Sequence, residues 1–125
     1  MANSLKGEVD LIAGDRTYVL RFSIDAICAL EERLGKGFPA IAAEMQDPAK
    51  LTLGMARHLL HASLREHQPD ITVKEAGELI VPAGGMIAVL EKVSAAINAA
   101  FQTTTEERAN KRPTIRRKNR IGSTS

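Results

Sequence analysis

Aromatic residues are scarce in this 125-residue chain, which has no Trp, one Tyr and three Phe. The core must therefore be built from Leu, Ile, Val, Met and Ala, a composition that favours helices packed through small side chains. Cys28 is the only cysteine, so no internal disulfide can form and the chain suits a reducing cytoplasm. Because Cys28 lies in an apolar run without a His nearby in the sequence, we expect a small buried side chain rather than a reactive thiol.

Long apolar runs are absent as well. No stretch approaches the roughly 18 uninterrupted apolar residues that a membrane span requires. The opening residues MANSLKGEVD also lack the apolar segment of a secretion signal. We therefore expect a protein that is neither embedded in a membrane nor secreted, and that works in the cytoplasm.

Charge divides the chain into two parts. The formal net charge is +2, but residues 1–105 carry 10 Lys and Arg against 13 Asp and Glu, while residues 106–125 carry 7 against 2. The length suits one compact domain. After Thr103 the apolar periodicity stops, and few hydrophobic residues remain to offset the entropy of ordering the segment. We predict a single domain over residues 1–105 and a flexible basic tail over residues 106–125.

The N-terminal segment GEVDLIAGDRTYVLRFS alternates apolar and polar residues as a β-hairpin does. Gly14 and Asp15 are turn formers between the two alternating runs. Tyr18, Leu20 and Phe22 share one face of the second run. Because an isolated hairpin is marginal in water, this face is expected to pack on helices.

Helical spacing and capping residues predict five helices after the hairpin. Their expected spans are 24–34, 39–46, 51 or 52 to about 68, Thr72 to about 80, and Met86 onward. In the third helix, Leu53, Ala56, Leu60 and Leu64 form one apolar stripe, and this helix is expected to be central. The predicted fold class is α+β, with an N-terminal β-hairpin packed against a bundle of four to five α-helices and a disordered basic C-terminal tail.

Few residues suggest chemistry. His58 and His61 lie three apart on a predicted helix, but a metal would need a third ligand, and only Glu66 and His67 are near. We expect solvated or half-buried structural histidines. Gly84-Gly85 is read as a helix break, since neither a phosphate-loop Lys nor a preceding strand accompanies it. The pairs Glu31-Glu32 and Glu106-Glu107 are expected on solvated helix faces. The sequence predicts no catalytic residue, cofactor or metal site, and no enzyme.

The basic tail is the segment whose composition points to a function. Its candidate partner-binding residues are Lys111, Arg112, Arg116, Arg117, Lys118 and Arg120. Such a cluster attracts phosphates or an acidic protein surface in a salt-dependent way. No aromatic residue is interleaved for base stacking, and the attached domain is acidic. We therefore predict an acidic partner and regard nucleic acid as the weaker candidate.

The order of these segments resembles the small proteins of phage and gene-transfer-agent tail modules, which are related to tail tube proteins or act as tail assembly chaperones. The resemblance covers about residues 5–102. It depends on the hairpin GEV...AG...Y.LRFS, the helix end ALEERLG, and the central LLHASLRE...IT..EAGELI, followed by GGMIAVLEKVSAAINAAF. The basic tail lies outside the resemblance.

The resemblance implies a non-enzymatic protein that binds the tape measure protein or tail tube subunits, and that can associate with itself, in the host cytoplasm during assembly. The alternative is a structural component, such as a tube or terminator subunit, retained in the virion. A third class is a small nucleic-acid-binding protein that acts through its tail. Two interpretations of the last helix stay open: a surface that enters a partner's groove, or a helix that is entirely core.

Overall fold

A computed structural model of the protein describes residues 7–111, with side chains described through Phe101. Its elements are strands β1 (Glu8–Ala13) and β2 (Arg16–Arg21), followed by helices α1 (Ile24–Leu34), α2 (Phe38–Met45), α3 (Leu53–Leu64), α4 (Val73–Glu78) and α5 (Met86–Lys111). A short 3₁₀ turn, Pro48–Lys50, lies between α2 and α3. The predicted α+β class, with a hairpin on a bundle of helices, is confirmed.

The hairpin forms as the alternation indicated. β1 and β2 are antiparallel, with Val9 opposite Leu20 and Leu11 opposite Tyr18, and Gly14 has a positive φ of 67° in the turn. That backbone conformation suits glycine because it has no Cβ. Leu11, Leu20 and Phe22 are buried on the inner face, and Val9 and Tyr18 pack at its edge. The inner face lies on α3 and α5.

Local capping residues set where α1 and α4 begin. The Ser23 hydroxyl accepts a hydrogen bond from the Ala26 N–H at 3.0 Å, and α1 ends at Gly35, whose φ is 72°. Thr72 and Glu75 form the predicted capping box at α4, each side chain accepting from the other residue's backbone N–H. These groups satisfy amides that the first turn of a helix leaves without partners. The predicted helix starts at these positions are confirmed.

α3 is the central helix, in contact with α1, α4, α5 and β2. Its buried residues are Met55, Ala56, Leu59, Leu60, Ala62, Ser63 and Leu64. The prediction that Leu53 belongs to this stripe was wrong, since its side chain is 61% exposed. Leu53 is the first residue of the helix, and it lies near the start of the groove that α3 forms with α4, where the core no longer covers it.

α5 contributes a second apolar stripe to the core. Val89, Leu90, Val93, Ala96 and Ile97 are buried at helical spacing. The helix backbone continues ten residues beyond Phe101, so α5 is longer than its apolar pattern indicated. The boundary at residue 105 and the flexible tail remain predictions. Apart from Lys111, which ends α5, the basic residues singled out in the tail lie outside the described residues.

Candidate partner-binding surfaces

Three exposed aliphatic side chains flank the point where the hairpin turn meets the segment before α5. The Gly14 N–H donates to the Pro82 carbonyl at 3.1 Å and joins these two segments. Around this contact, Ile12 is 65% exposed, Val81 82% and Ile87 58%. We call these three side chains the tip surface.

The sequence explains why these side chains face water. Ile12 alternates with the buried Leu11 and therefore lies on the outer face of the hairpin. Ile87 precedes the buried Val89 by two residues, which places it about 200° away around the helix. Exposed aliphatic side chains that lie near one another are typical of surfaces that contact another molecule. The tip surface is therefore a candidate docking surface.

A second candidate surface is the groove between α1 and α3. The two helices are antiparallel: Arg65 after the end of α3 pairs with Asp25 in the first turn of α1, at 3.2 Å. The groove has a volume of about 490 Å³. Its lining residues are Ala29, Leu30, Glu32, Arg33, His58, His61, Ala62 and Arg65. We call this feature the cationic groove.

His58 and His61 both line the cationic groove. Burial, followed by the charges of Arg33, Arg57 and His61, lowers the pKa of His58 below its usual 6.5. The positive neighbours disfavour the charged imidazolium. His58 is therefore neutral at pH 7, in an environment of positive potential.

The His61 ring is held in place by the backbone. Its Nε2 lies 3.0 Å from the Ile71 carbonyl oxygen, and because a carbonyl can only accept, Nε2 carries the proton and donates. The Nδ1 atom is then the nitrogen that can accept a hydrogen bond. This contact also ties the segment before α4 to α3.

The residues considered as further metal ligands serve another purpose. The His67 Nε2 lies 2.9 Å from a Glu8 carboxylate oxygen, and Glu66 pairs with Arg21 at 3.5 Å. Both contacts link the end of α3 to the hairpin. Within residues 7–101, no three His, Cys, Asp or Glu side chains come together in an arrangement that could hold a metal ion.

The structure corrects two interpretations on α1. Cys28 is exposed rather than buried, because Ala26, Ile27 and Leu30 already form the core-facing side of this short helix. Glu31 was expected to be solvated, but its Oε2 accepts a hydrogen bond from the Phe38 N–H at 2.7 Å. Gly37, the N-cap of α2, has no side chain to perform this role. A charged carboxylate at a helix N-terminus is favourable.

Gly84 and Gly85 separate α4 from α5, as predicted for a helix break. Their φ values are 107° and 101°. The Gly84 N–H donates to the Val81 carbonyl at 3.0 Å, and the Gly85 N–H donates to the Ile80 carbonyl at 2.9 Å. These amides therefore close the turn between the helices.

The interpretation of α5 as a helix that is entirely core is wrong for its described side chains, and its entry into a partner's groove stays a prediction. One face is core, while Glu91, Lys92, Ala95 and Asn98 are exposed on the other. Phe101 is 44% exposed and stacks on Phe38, with ring centroids 5.5 Å apart. The middle of the outward face is thus polar or small, and Ile87, at the beginning of the helix, belongs to the tip surface. No helix in the described part of the chain combines the length and apolar character of a membrane span.

The architecture defines a small α+β protein with two surface features suited to contacts with other molecules. A family model described as "Phage tail tube protein, GTA-gp10" matches residues 6–103. The chain belongs to this family of phage and gene-transfer-agent tail proteins, which confirms the resemblance inferred from its segments. Its role lies in the structure or morphogenesis of a tail, where it contacts other tail proteins or copies of itself. Neither the comparison with curated proteins nor that with solved structures found a match.

Proposed function

We propose that the protein is a non-enzymatic tail assembly chaperone that binds the tape measure protein or tail tube subunits in the cytoplasm of the host. The observation that carries the proposal is the tip surface: Ile12, Val81 and Ile87 are exposed although the protein has a well-filled core. Family membership directs the choice of partner toward tail proteins. A chaperone needs such apolar surface because its clients expose apolar segments before they assemble.

The tip surface also has the chemistry of a reversible contact. Three aliphatic side chains supply apolar area, and burial of each contributes on the order of 1–2 kcal/mol. The neighbouring polar residues on the outer hairpin face limit that area. A partner held in this way can later be released to the growing tail.

The experiment is co-expression of the tagged full chain with the tail proteins encoded beside it, followed by pull-down at low and moderate salt. We expect a complex with the tape measure or tube protein. Val81→Ser is expected to weaken it, because this side chain is 82% exposed and its replacement leaves the core intact. Absence of a complex at both salt concentrations contradicts the proposal.

The matched control is Ile24→Ser. Ile24 is 71% exposed, but it follows the end of β2 that lies away from the hairpin turn. An exposed aliphatic side chain is thus also replaced by Ser, but at a position away from the tip surface. If both variants lose the partner equally, the tip surface is not the docking site.

A structural component of the particle is the second candidate, favoured by the family description as a tail tube protein. Its self-association would cover the same exposed aliphatic side chains permanently. The composition of finished particles separates this role from that of a chaperone. A role in nucleic-acid binding requires a DNA affinity that falls steeply with salt and disappears when the chain is truncated after Thr105.

A further inference from the structure

We propose that the cationic groove binds an acidic helical segment of a partner protein, whose carboxylates pair with Arg33 and Arg65 and whose small apolar side chains lie on Ala29. The proposal rests on the proposed function only in taking that partner to be a tail protein. The proposal specifies the chemistry of the partner segment, and the cationic groove is separate from the tip surface.

The positive charge of the cationic groove is only partly balanced by carboxylates of the described residues. Within residues 7–101, no carboxylate forms an ion pair with Arg33. In the same part of the chain, Arg65 forms an ion pair with Asp25, whose side chain is itself 84% exposed. An exposed pair of this kind contributes little stability, and a guanidinium has further N–H donors to offer. Both arginines can therefore donate hydrogen bonds to a carboxylate of a ligand.

The histidines strengthen the preference for an anion. His58 is held neutral beside positive groups, so a bound carboxylate would favour its protonated form. Protonation of His58 would add positive charge to the groove as an acidic ligand enters. Binding would then be coupled to proton uptake.

The geometry fits a helix. Asp25, which marks the Arg65 end of the groove, lies eight residues from Arg33 on α1, a rise of about 12 Å. Two Glu residues seven apart on a helix lie on one face and about 10.5 Å apart. Such a pair would reach both arginines. Ala29 is exposed and has a single methyl group, so it does not hinder the approach of a helix to the groove.

The lining residues disfavour nucleic acid. Glu32 lies on one wall and Asp25 beside Arg65, so the positive charge is confined to two positions rather than forming a continuous track. No Phe, Tyr or Trp ring lines the groove for base stacking. Residues 1–105 carry three more acidic than basic residues, which repels a polyphosphate backbone. A segment with a few spaced carboxylates meets no such penalty.

The test is a titration of the isotope-labelled full chain, followed by NMR. The probe is a capped Ala- and Leu-containing peptide of about 15 residues, long enough to populate a helix, with Glu residues seven apart. We expect saturable shifts of amides in α1 and α3, a rise in the pKa of His58, and weaker binding at high salt. A peptide of the same composition with its Glu residues two apart is the matched control, and it should shift these amides much less.

Variants assign the binding to the groove. Arg33→Glu should weaken the groove response on the order of tenfold, while Lys92→Glu, the same charge change on the exposed face of α5, should leave it unchanged. Ala29→Leu fills the groove without a change of charge and should weaken binding as well. Ala29 is exposed, so this variant is expected to fold.

Three results would overturn the proposal. The first is a response confined to the tail residues. The second is an equal groove response to both peptides. The third is a groove that binds single-stranded oligothymidine more tightly than the peptide. Because the probe is a defined peptide, each result is independent of whether a tail protein is captured by the tip surface.

Discussion

The hydrogen bond from the Phe38 N–H to the Glu31 carboxylate offers a sharp test of how the fold is held together. Glu31 and Glu32 are adjacent on α1, but only Glu31 reaches the start of α2, at 2.7 Å. Replacement of either residue by Ala changes helix propensity equally. The difference in the free energy of unfolding between Glu31→Ala and Glu32→Ala therefore reports the contribution of the Glu31 cap to α2.

The expected magnitude follows from two contributions. A hydrogen bond to a charged group contributes about 1.5–3 kcal/mol, and a negative charge at a helix N-terminus adds about 0.3–1 kcal/mol. Water can reach this half-buried position and hydrogen-bond to the Phe38 N–H, which offsets part of the lost stability. We therefore expect Glu31→Ala to lower the free energy of unfolding by about 1–2 kcal/mol, and Glu32→Ala to change it by less than about 0.5 kcal/mol.

Urea and thermal unfolding followed by circular dichroism would measure these changes. For a domain of this size, the loss corresponds to a fall in Tm of roughly 5–15 °C. Glu31→Gln keeps an acceptor oxygen at the same reach and should lie between the two Ala variants. Equal destabilisation by Glu31→Ala and Glu32→Ala would refute the assignment of Glu31 as the cap.

Three further predictions follow from particular contacts. A Cβ at Gly77 would lie 2.7 Å from the Arg57 Cδ. Gly77→Ala should therefore stabilise the protein by up to about 1 kcal/mol in an Arg57→Ala background and by less in the native one. Urea unfolding in a double-mutant cycle measures both effects, and equal values would contradict this contact. Gly35→Ala should cost about 1–2 kcal/mol, because φ is 72° with open space around it, and an unchanged unfolding midpoint would refute that strain. Because the pKa of His58 is lowered on folding, the folded state binds fewer protons, and stability should fall as pH drops through 6.5. His58→Gln should flatten this part of the pH profile of unfolding, and an unaltered profile would exclude His58 as its source.

The sequence was most informative where short-range rules decide the structure. Ser23, Thr72 and Gly35 act within three or four residues of their own position, so their roles follow from local spacing alone. The hairpin was predictable for the same reason, since Gly14 and the alternation of Leu20 with its neighbours lie within one short segment. The buried stripe of α5 was likewise visible as helical periodicity.

The predictions that were wrong concern residues whose environment is set by another element of the fold. Whether Cys28 is buried depends on which side of α1 meets α3, and Leu53 is exposed because this first residue of α3 lies at the edge of the core. Glu31 reaches a backbone amide seven residues away, around a turn that periodicity does not describe. These outcomes are set by tertiary contacts.

The candidate surfaces were only partly within reach of the sequence. The spacing of His58 and His61 placed them on one face, but the opposing Arg33 belongs to another helix and gave no local signal. The tip surface depends on the hydrogen bond between Gly14 and Pro82, which are far apart in sequence. Only the solvent-facing register of Ile12 could have been read from the alternation in β1.

We propose that the protein assists tail assembly without remaining in the finished tail. Quantitative mass spectrometry of purified particles, compared with lysate taken during assembly, tests this proposal. We expect the protein to be bound to tape measure or tube subunits in the lysate and absent from the particle. Its presence in the particle in stoichiometric proportion to the tube subunits would refute the chaperone role and establish the structural role instead.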